Sequence, residues 1–260
     1  MSDTTDSLQP EQTVLVTGAA RRIGRHIATD LAACGWKVAI HANNNIEEAR
    51  RFAHEVCAAG GIAAAFGADL TEPEQIDALV KEAASVLGPL TTLVNCASIF
   101  IEDDVRSLDH ELFDRHFAIH VRAPSLLAKA FADQRPTNVA GNIINIIDQR
   151  VFKLTPQFYS YTLSKSALLT ATKTMAQAMA PHIRVNAIGP GPTLKNCRQE
   201  DSDFEKQVDA LPLRRGPELA EFAKTIRFLV NTPSITGQMI ALDGGQHLAW
   251  ETPDVVGMKE

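Results

Sequence analysis

Short apolar runs rich in β-branched residues recur along the chain, and they predict buried strands. Longer stretches between them repeat apolar residues at helical spacing, as Ile23, Ile27 and Leu31 do. Because predicted strands and helices alternate from residue 13 onward, we expect an α/β fold with a parallel sheet and helices on both faces. The predicted strands are Val14–Val16, Val38–Ile40, Ile62–Phe66, Leu93–Val94, Ile143–Ile147, Ile183–Ile188 and Met239–Leu242.

The order of elements favours one domain, since no repeat, linker or change in composition divides the chain. We expect a flexible N-terminus at residues 1–12, one domain at residues 13–247 and a tail at residues 248–260. Thr71 followed by Glu74 predicts a capping box at the start of the third helix. The polar stretch 193–213 follows a strand and is predicted to form a lid with a short helix around Phe204–Leu211.

Composition excludes several classes of protein. The chain has 260 residues and a formal net charge of -6, with Lys and Arg scattered, which argues against a nucleic-acid partner. The first residues lack an apolar stretch, and no run is long enough to span a bilayer, so we expect a cytoplasmic protein without a membrane partner. No metal site is expected, because the histidines lack ligand spacing and the four cysteines, Cys34, Cys57, Cys96 and Cys197, are far apart.

A glycine turn joins the first strand to the first helix. Gly18 and Gly24 flank this turn and allow close approach of a pyrophosphate to the helix N-terminus, although a strand-to-helix turn alone also needs glycine. The adjacent Arg21 and Arg22 favour the phosphate interpretation, since guanidinium groups pair with phosphate oxygens. The second strand ends at residues 41–45 without an Asp or Glu for a ribose 2′-hydroxyl, which favours NADPH over NADH, unless the asparagines merely form a turn.

Tyr161 and Lys165 lie four residues apart and therefore one turn apart on one face of a predicted helix. We expect the ammonium to lower the pKa of the phenol, so that the tyrosine exchanges a proton during hydride transfer. This helix follows the strand Ile143–Ile147 and Asp148. The carboxyl edge of a parallel sheet is where ligands of such folds bind.

Six motifs in this order resemble the classical short-chain dehydrogenases/reductases over residues 12–247. The resemblance implies a single Rossmann-like, doubly wound domain with a seven-stranded parallel sheet, a small-molecule substrate and a homotetramer. The motifs are Thr17–Gly24, Gly67–Leu70, Asn95–Ser98, Tyr161–Lys165, Arg184–Asn186 with Gly189–Gly191, and Thr236–Gly245.

The resemblance also assigns roles to residues. It implies that Tyr161 is the proton donor, that Lys165 holds the nicotinamide ribose and that Asp69 contacts adenine. The expected cofactor-binding residues are Thr17, Gly18, Arg21, Arg22, Ile23, Gly24, His41, Asn43, Asn44, Asn45, Asp69, Leu70, Asn95, Ala97, Ser98, Tyr161, Lys165, Pro190 and Gly191.

Two departures from the common pattern look like the pteridine reductase branch: Asp148 replaces the usual serine, and Arg22 replaces the middle glycine of the first turn. In that branch the aspartate works with Tyr161 and Lys165. A flat pterin ring can stack on an aromatic side chain, and a carboxyl group can help to supply protons to its nitrogens. The expected substrate-binding residues are Arg22, Ser98, Phe100, Asp148 and Tyr161.

Two other functions fit the same residues. The main one is that of a carbonyl or 3-oxoacyl reductase of the same family, and the other is that of a protein that binds NADPH without turnover. His120 stands where the family commonly has an asparagine, and it is either a packed helix residue or part of a proton relay.

Overall fold

The computed structural model describes residues 11–195, 199–252 and 255–257, and these residues contain a seven-stranded sheet. Its strand order is β3-β2-β1-β4-β5-β6-β7, and every neighbouring pair is parallel. All seven predicted strands are present, as is the predicted doubly wound fold. The strands are β1 Thr13–Val16, β2 Lys37–Ala42, β3 Ile62–Gly67, β4 Thr92–Asn95, β5 Gly141–Ile146, β6 Ile183–Pro190 and β7 Met239–Leu242.

Helices cover both faces of the sheet because the strand side chains alternate between them. On β1, Val14 and Val16 pack with α1, α2 and α8, whereas Leu15 packs with α3, α5 and α6. Every helix among the described residues is too short or too polar to cross a membrane. The helices are α1 Arg22–Ala33, α2 Ile46–Ala58, α3 Pro73–Leu87, α4 His110–Phe117, α5 Ala123–Gln134, α6 Tyr159–Met179, α7 Asp201–Asp209 and α8 Leu219–Asn231.

The strand order reverses direction at β1, which has β2 on one side and β4 on the other. The connections leaving these strands therefore diverge and open a crevice at their carboxyl ends. The β1–α1 turn and the segments that follow β4 and β5 all meet there. This is the edge at which the sequence places the glycine turn, Asp148 and Tyr161.

The predicted capping box at Thr71 is wrong, because α3 begins at Pro73 with Glu72 at its N-cap. Thr71 instead donates its hydroxyl to Asp69 Oδ1 at 2.7 Å. A capping box is present at the start of α8, where Glu218 and Glu221 bond reciprocally. The short helix predicted inside 193–213 is α7. Residues 1–10, 196–198, 253–254 and 258–260, and with them Cys197 and parts of the predicted N-terminus, lid and tail, lie outside the described residues.

The first turn is packed so closely that its glycines are required. A Cβ at Gly24 would lie 2.5 Å from the carbonyl oxygen of Gly18, and a Cβ at Gly18 would lie 2.9 Å from Ala97 Cα. The neighbours are backbone atoms, which cannot swing away as a flexible side chain can. The glycines therefore bring the start of α1 against the turn and the turn against the loop after β4.

We predict that Gly24→Ala destabilises the domain by about 1–3 kcal/mol, the usual cost of overpacking. An unhindered Gly→Ala change within a helix would instead stabilise it by about 1 kcal/mol, so the sign of the effect is informative. Urea unfolding measures the change. Gly67→Ala, at the end of β3, is the control for an uncrowded position, since a Cβ there meets Ile46 at an ordinary 3.5 Å. Equal stability of the two variants would contradict the packing argument.

Candidate active site

A cavity of about 1050 Å³ opens at the carboxyl edge of the sheet. It is bordered by the β1–α1 turn, the end of β2, the loop after β4, the segment after β5, α6, the end of β6 and α7. Sixteen of the residues proposed from the sequence line this cavity. They are Gly18, Arg21, Arg22, Ile23, Gly24, Asn43, Asn44, Asn45, Ala97, Ser98, Phe100, Asp148, Tyr161, Lys165, Pro190 and Gly191.

Thr17 and His41, which the sequence also proposed for cofactor binding, are not among the residues that line the cavity. The Thr17 hydroxyl accepts hydrogen bonds from the backbone N–H groups of Cys96 and Ala97 at 2.9 and 3.0 Å. His41 accepts from the Gly18 N–H at Nδ1, and its Nε2 lies 3.0 Å from the Ala68 carbonyl oxygen. Burial lowers the pKa of His41, so the ring is neutral. Both side chains hold the turn in place from below.

Asp69, Leu70 and Asn95 also lie outside the lining. Asp69 accepts from the N–H and the hydroxyl of Thr71, and these bonds lower the pKa of its carboxyl group. Leu70 is buried in the core. Asn95 is buried and donates to Asn145 Oδ1 at 2.8 Å, so its side chain ties β4 to β5 instead of facing the cavity.

Tyr161, Asp148 and Lys165 meet in the cavity wall. Tyr161 Oη donates to Asp148 Oδ2 at 2.9 Å. Lys165 Nζ donates to the carbonyl oxygen of Ile146 at 2.8 Å and lies 5.7 Å from the centroid of the Tyr161 ring. Because an ammonium has three N–H donors, Lys165 retains donors for a ligand in the cavity.

The electrostatics of this group differ from the expectation for the tyrosine. Burial, and then the charge of Asp148, raise the pKa of Tyr161, whereas we expected Lys165 to lower it. Burial also raises the pKa of Asp148 and lowers that of Lys165 to about 8. A dry environment disfavours the charged form of every member. The phenol is therefore protonated, which suits a proton donor.

Two residues that the sequence did not indicate, Phe158 and Arg150, extend the aromatic wall around Phe100. Phe158 stacks on Phe100 with ring centroids 4.1 Å apart, and the guanidinium of Arg150 lies 4.9 Å from the centre of the Phe158 ring. Phe158 has a φ of 58°, the left-handed conformation that L side chains rarely adopt. Arg150 and Phe158 both lie between Asp148 and Tyr161 in sequence. The sequence does offer one indication that they belong to the site, namely their position in the connection between two residues of the site.

The two arginines of the first turn differ in their contacts. Arg22 donates to the carbonyl oxygens of Leu194 and Lys195, each at 3.1 Å, and so joins the mouth of the cavity to the segment after β6. Arg21 pairs with Glu48 of α2 at 2.5 Å. Arg22 therefore lies on the side of residues 194–195, and Arg21 on the side of α2.

His120 is more than a packed helix residue, because it contacts the site through Ser98. Its Nε2 lies 2.9 Å from Ser98 Oγ, and its Nδ1 lies 2.8 Å from Ser164 Oγ. His120 is fully buried in a π-helical turn at Ala118–Arg122. It thus joins the loop after β4 to α6.

The donors around the cavity fit a dinucleotide. The first turn of α1 has no side-chain cap, so its N–H groups are available for a pyrophosphate. Lys165 offers donors at the opposite end. Among the described residues, no three His, Cys, Asp or Glu side chains lie together as metal ligands.

Comparisons with known proteins agree with this arrangement. The family model described as enoyl-(acyl carrier protein) reductase matches residues 18–247. A 3-oxoacyl-(acyl-carrier-protein) reductase of Synechocystis is 31% identical over 238 residues, which cover 90% of this chain and 96% of the relative.

Solved structures give the same result. The FolM alternative dihydrofolate reductase 1 of Brucella suis, in complex with NADP, is 56% identical with a TM-score of 0.91, covering 94% of this chain and 98% of that one. A short-chain dehydrogenase/reductase of Serratia marcescens is 28% identical with a TM-score of 0.84, covering 90% and 97%. Since the matches extend over nearly the whole sheet and include the helix that bears Tyr161 and Lys165, the chain belongs to the short-chain dehydrogenase/reductase family.

Proposed function

We propose that this protein reduces a pterin-type substrate with NADPH. The observation that carries the proposal is the hydrogen bond between Tyr161 and Asp148 in a cavity that is also lined by Phe100. A protonated phenol backed by a carboxyl group supplies protons, and an aromatic side chain suits a flat heterocycle. The similarity to the Brucella suis FolM protein, at 56% identity, supports the same substrate class.

The cofactor, when bound, supplies the hydride. Tyr161 donates the proton that completes the reduction, and Asp148 keeps the phenol oriented through their hydrogen bond. Because burial raises the pKa of Asp148, this carboxyl group takes up a proton more readily than an exposed one and can pass it to the tyrosine. Phe100 supports one face of the substrate ring.

The same cavity accounts for the choice of NADPH. Arg22 and the N-terminus of α1 would hold the pyrophosphate, and Lys165 would hold the nicotinamide ribose. Asn43, Asn44 and Asn45 line the cavity beyond β2 without a carboxylate to repel a 2′-phosphate.

A second candidate is reduction of a 3-oxoacyl thioester. It is favoured by the Synechocystis relative, whereas the description of the family model shares with it only the acyl carrier protein. Asp148 weighs against it, because in the resting site this group accepts the hydrogen bond of Tyr161 and does not offer a carbonyl oxygen the donor that the usual serine hydroxyl supplies.

Other expectations stay predictions from the sequence: the homotetramer, the cytoplasmic location and the division into residues 1–12, 13–247 and 248–260.

We propose that the segment 193–213 covers the cavity. Leu194, Gln199, Phe204 and Gln207 of this segment line it, and Arg22 contacts its backbone.

We predict that NADPH binds more tightly than NADH, because residues 43–45 at the end of β2 carry amide donors and no carboxylate, while Arg21 and Arg22 of the first turn are cationic. Fluorescence titration at low salt gives the two dissociation constants. Asn44→Asp is the informative variant, since its carboxylate would repel a 2′-phosphate and so reduce the preference for NADPH over NADH. Equal constants in the wild type would refute the assignment.

Replacing Asp148 tests the substrate class. We predict that Asp148→Ser lowers kcat for dihydropterin reduction by about 10²-fold or more, because the group that shares protons with Tyr161 is lost. NADPH oxidation is measured against dihydropterins, simple ketones and acyl thioesters. Tyr161→Phe is the control and should abolish turnover with cofactor binding intact. Unchanged pterin turnover in Asp148→Ser, or a wild type that reduces only ketones or thioesters, would favour the second candidate.

The buried Lys165 should reduce stability at neutral pH, as expected of a residue retained for function. Its pKa is about 8 in the folded chain, against about 10.4 in an unfolded one. Between these values the unfolded chain binds more protons, so stability rises with pH. The raised pKa of Tyr161 has the opposite effect, but only above about pH 10.

We therefore predict that the wild type gains up to about 2 kcal/mol relative to Lys165→Met between about pH 7.5 and about pH 9.5. Urea unfolding of both proteins at the two pH values measures the gain. Parallel stability curves would show that Lys165 is not desolvated.

A further inference from the structure

Ser98 has more than one acceptor within reach of its hydroxyl. Its Oγ is 2.9 Å from His120 Nε2 and 3.4 Å from the carbonyl oxygen of Ile99. Ser98 also lines the cavity with Tyr161, and its hydrogen bond to the phenol oxygen favours the ionised form of the phenol. A serine hydroxyl has a single proton, which it can donate to only one acceptor at a time. The choice between these acceptors depends on the protonation of Tyr161.

The tautomer of His120 follows from its neighbours. The backbone N–H of Ile99 donates to Nε2 at 3.3 Å, so Nε2 carries no proton and Nδ1 does. Nδ1–H then donates to Ser164 Oγ at 2.8 Å, and the Ser164 hydroxyl donates to the carbonyl oxygen of Tyr161 at 2.7 Å. Burial and the charge of Lys165 lower the pKa of His120, which keeps this neutral form.

We propose that the Ser98 hydroxyl is a rotating donor that stabilises the Tyr161 phenolate, with His120 Nε2 as its resting acceptor. The inference rests on the proposed role of Tyr161 as proton donor. In the resting site Ser98 donates to His120, and Tyr161 donates to Asp148. When the O–H bond of Tyr161 breaks and its proton passes to the substrate, Ser98 keeps its own proton and turns it to the phenolate. Solvent then returns a proton to Tyr161 through Asp148.

The other groups that face Tyr161 do not replace this donor. Asp148 is an acceptor that disfavours a phenolate, while Arg150, after β5, opposes that effect only from a distance. Lys165, on the same helix, is bonded to Ile146, and it lies 5.7 Å from the ring centroid.

The histidines on the other side lie edge-on to the Tyr161 ring and have lowered pKa values: His116 at 6.0 Å and His120 at 5.3 Å between ring centroids. Both nitrogens of His120 are already engaged, and burial raises the pKa of Cys96 to about 11, so its thiol is neutral as well. Ser98 is thus the neutral donor that changes partner without a change in its own charge.

The pKa of Tyr161 tests the switch without any substrate. The chain has two tyrosines, so Tyr159→Phe with 13Cζ-tyrosine labelling leaves one signal to follow by NMR. The titration is recorded with NADP+ bound, since a positive nicotinamide ring lowers the phenol pKa. We expect Ser98→Ala to raise the pKa of Tyr161 by about one unit, the effect of losing a hydrogen bond to a charged group. Ser98→Thr, which keeps the hydroxyl, should restore it.

His120 variants should shift the pKa in the opposite direction. His120→Asn places an amide near Nδ1 and leaves Ser98 only the more distant carbonyl oxygen of Ile99, at 3.4 Å, as a resting acceptor. Ser98 then donates more readily to the phenolate, and the pKa of Tyr161 falls. His120→Gln places an amide oxygen near Nε2 and should behave like the wild type. A merely structural role of His120 does not predict a lowered pKa in one amide variant and not in the other. Shifts of Ser98→Ala and His120→Asn in the same direction, or no shifts, overturn the proposal.

If Ser98→Ala does not fold, the two His120 variants are sufficient for the test. A pKa of Tyr161 in His120→Asn that is equal to or higher than its pKa in His120→Gln overturns the proposal. Failure of the proposed function has a different signature. A wild type that reduces no pterin, with the opposed pKa shifts intact, would refute the substrate class and leave the switch in place.

Discussion

The partly buried hydrogen bond from Tyr161 to Asp148 is the interaction on which the arrangement of the site depends. A phenol or a carboxyl group taken out of water alone would be costly, and together each satisfies the other. The bond forms only because β5 delivers Asp148 to the carboxyl edge and α6 begins at Tyr159, just before the tyrosine. The loop between them must therefore close over the cavity, which places Arg150 and Phe158 in its wall.

Most of the fold could be predicted because buried parallel strands are nearly continuous apolar runs. Met239–Leu242 has the same bounds in the sequence pattern and in the structure. Helix starts were harder, since a polar pair such as Thr71 and Glu74 satisfies the capping pattern whether or not the helix begins there. The edge of the sheet that holds the site followed from the alternation of elements. The direction of the Thr17 and His41 side chains beneath the turn depends on tertiary packing, which no local pattern shows.

The pKa of Tyr161 shows the same limit in energetic terms. Spacing along a helix reveals that a lysine lies one turn away, and it suggests an attraction between ammonium and phenolate. It does not reveal that both groups are buried and that the nearest charged partner is a carboxylate. Desolvation and then the charge of Asp148 have the largest effects on the phenol, and both raise its pKa. The site is therefore built to hold a proton until the reaction removes it.

Such a site needs a rigid support behind it, and the polar contacts on the far side of α6 provide one. His116 lies 2.7 Å from Ser160 Oγ, which donates to Asp103, so the residue before Tyr161 is held from outside the sheet. One turn later His120 bonds Ser164 in the same way. His120 lies in the π-helical turn, and its ring stacks on that of His116 with ring centroids 5.6 Å apart. One histidine ring bonds the serine next to Tyr161, and the other bonds a serine one turn beyond it. A shift of α6 would therefore break several buried hydrogen bonds at once. These bonds hold the tyrosine in position while its proton moves.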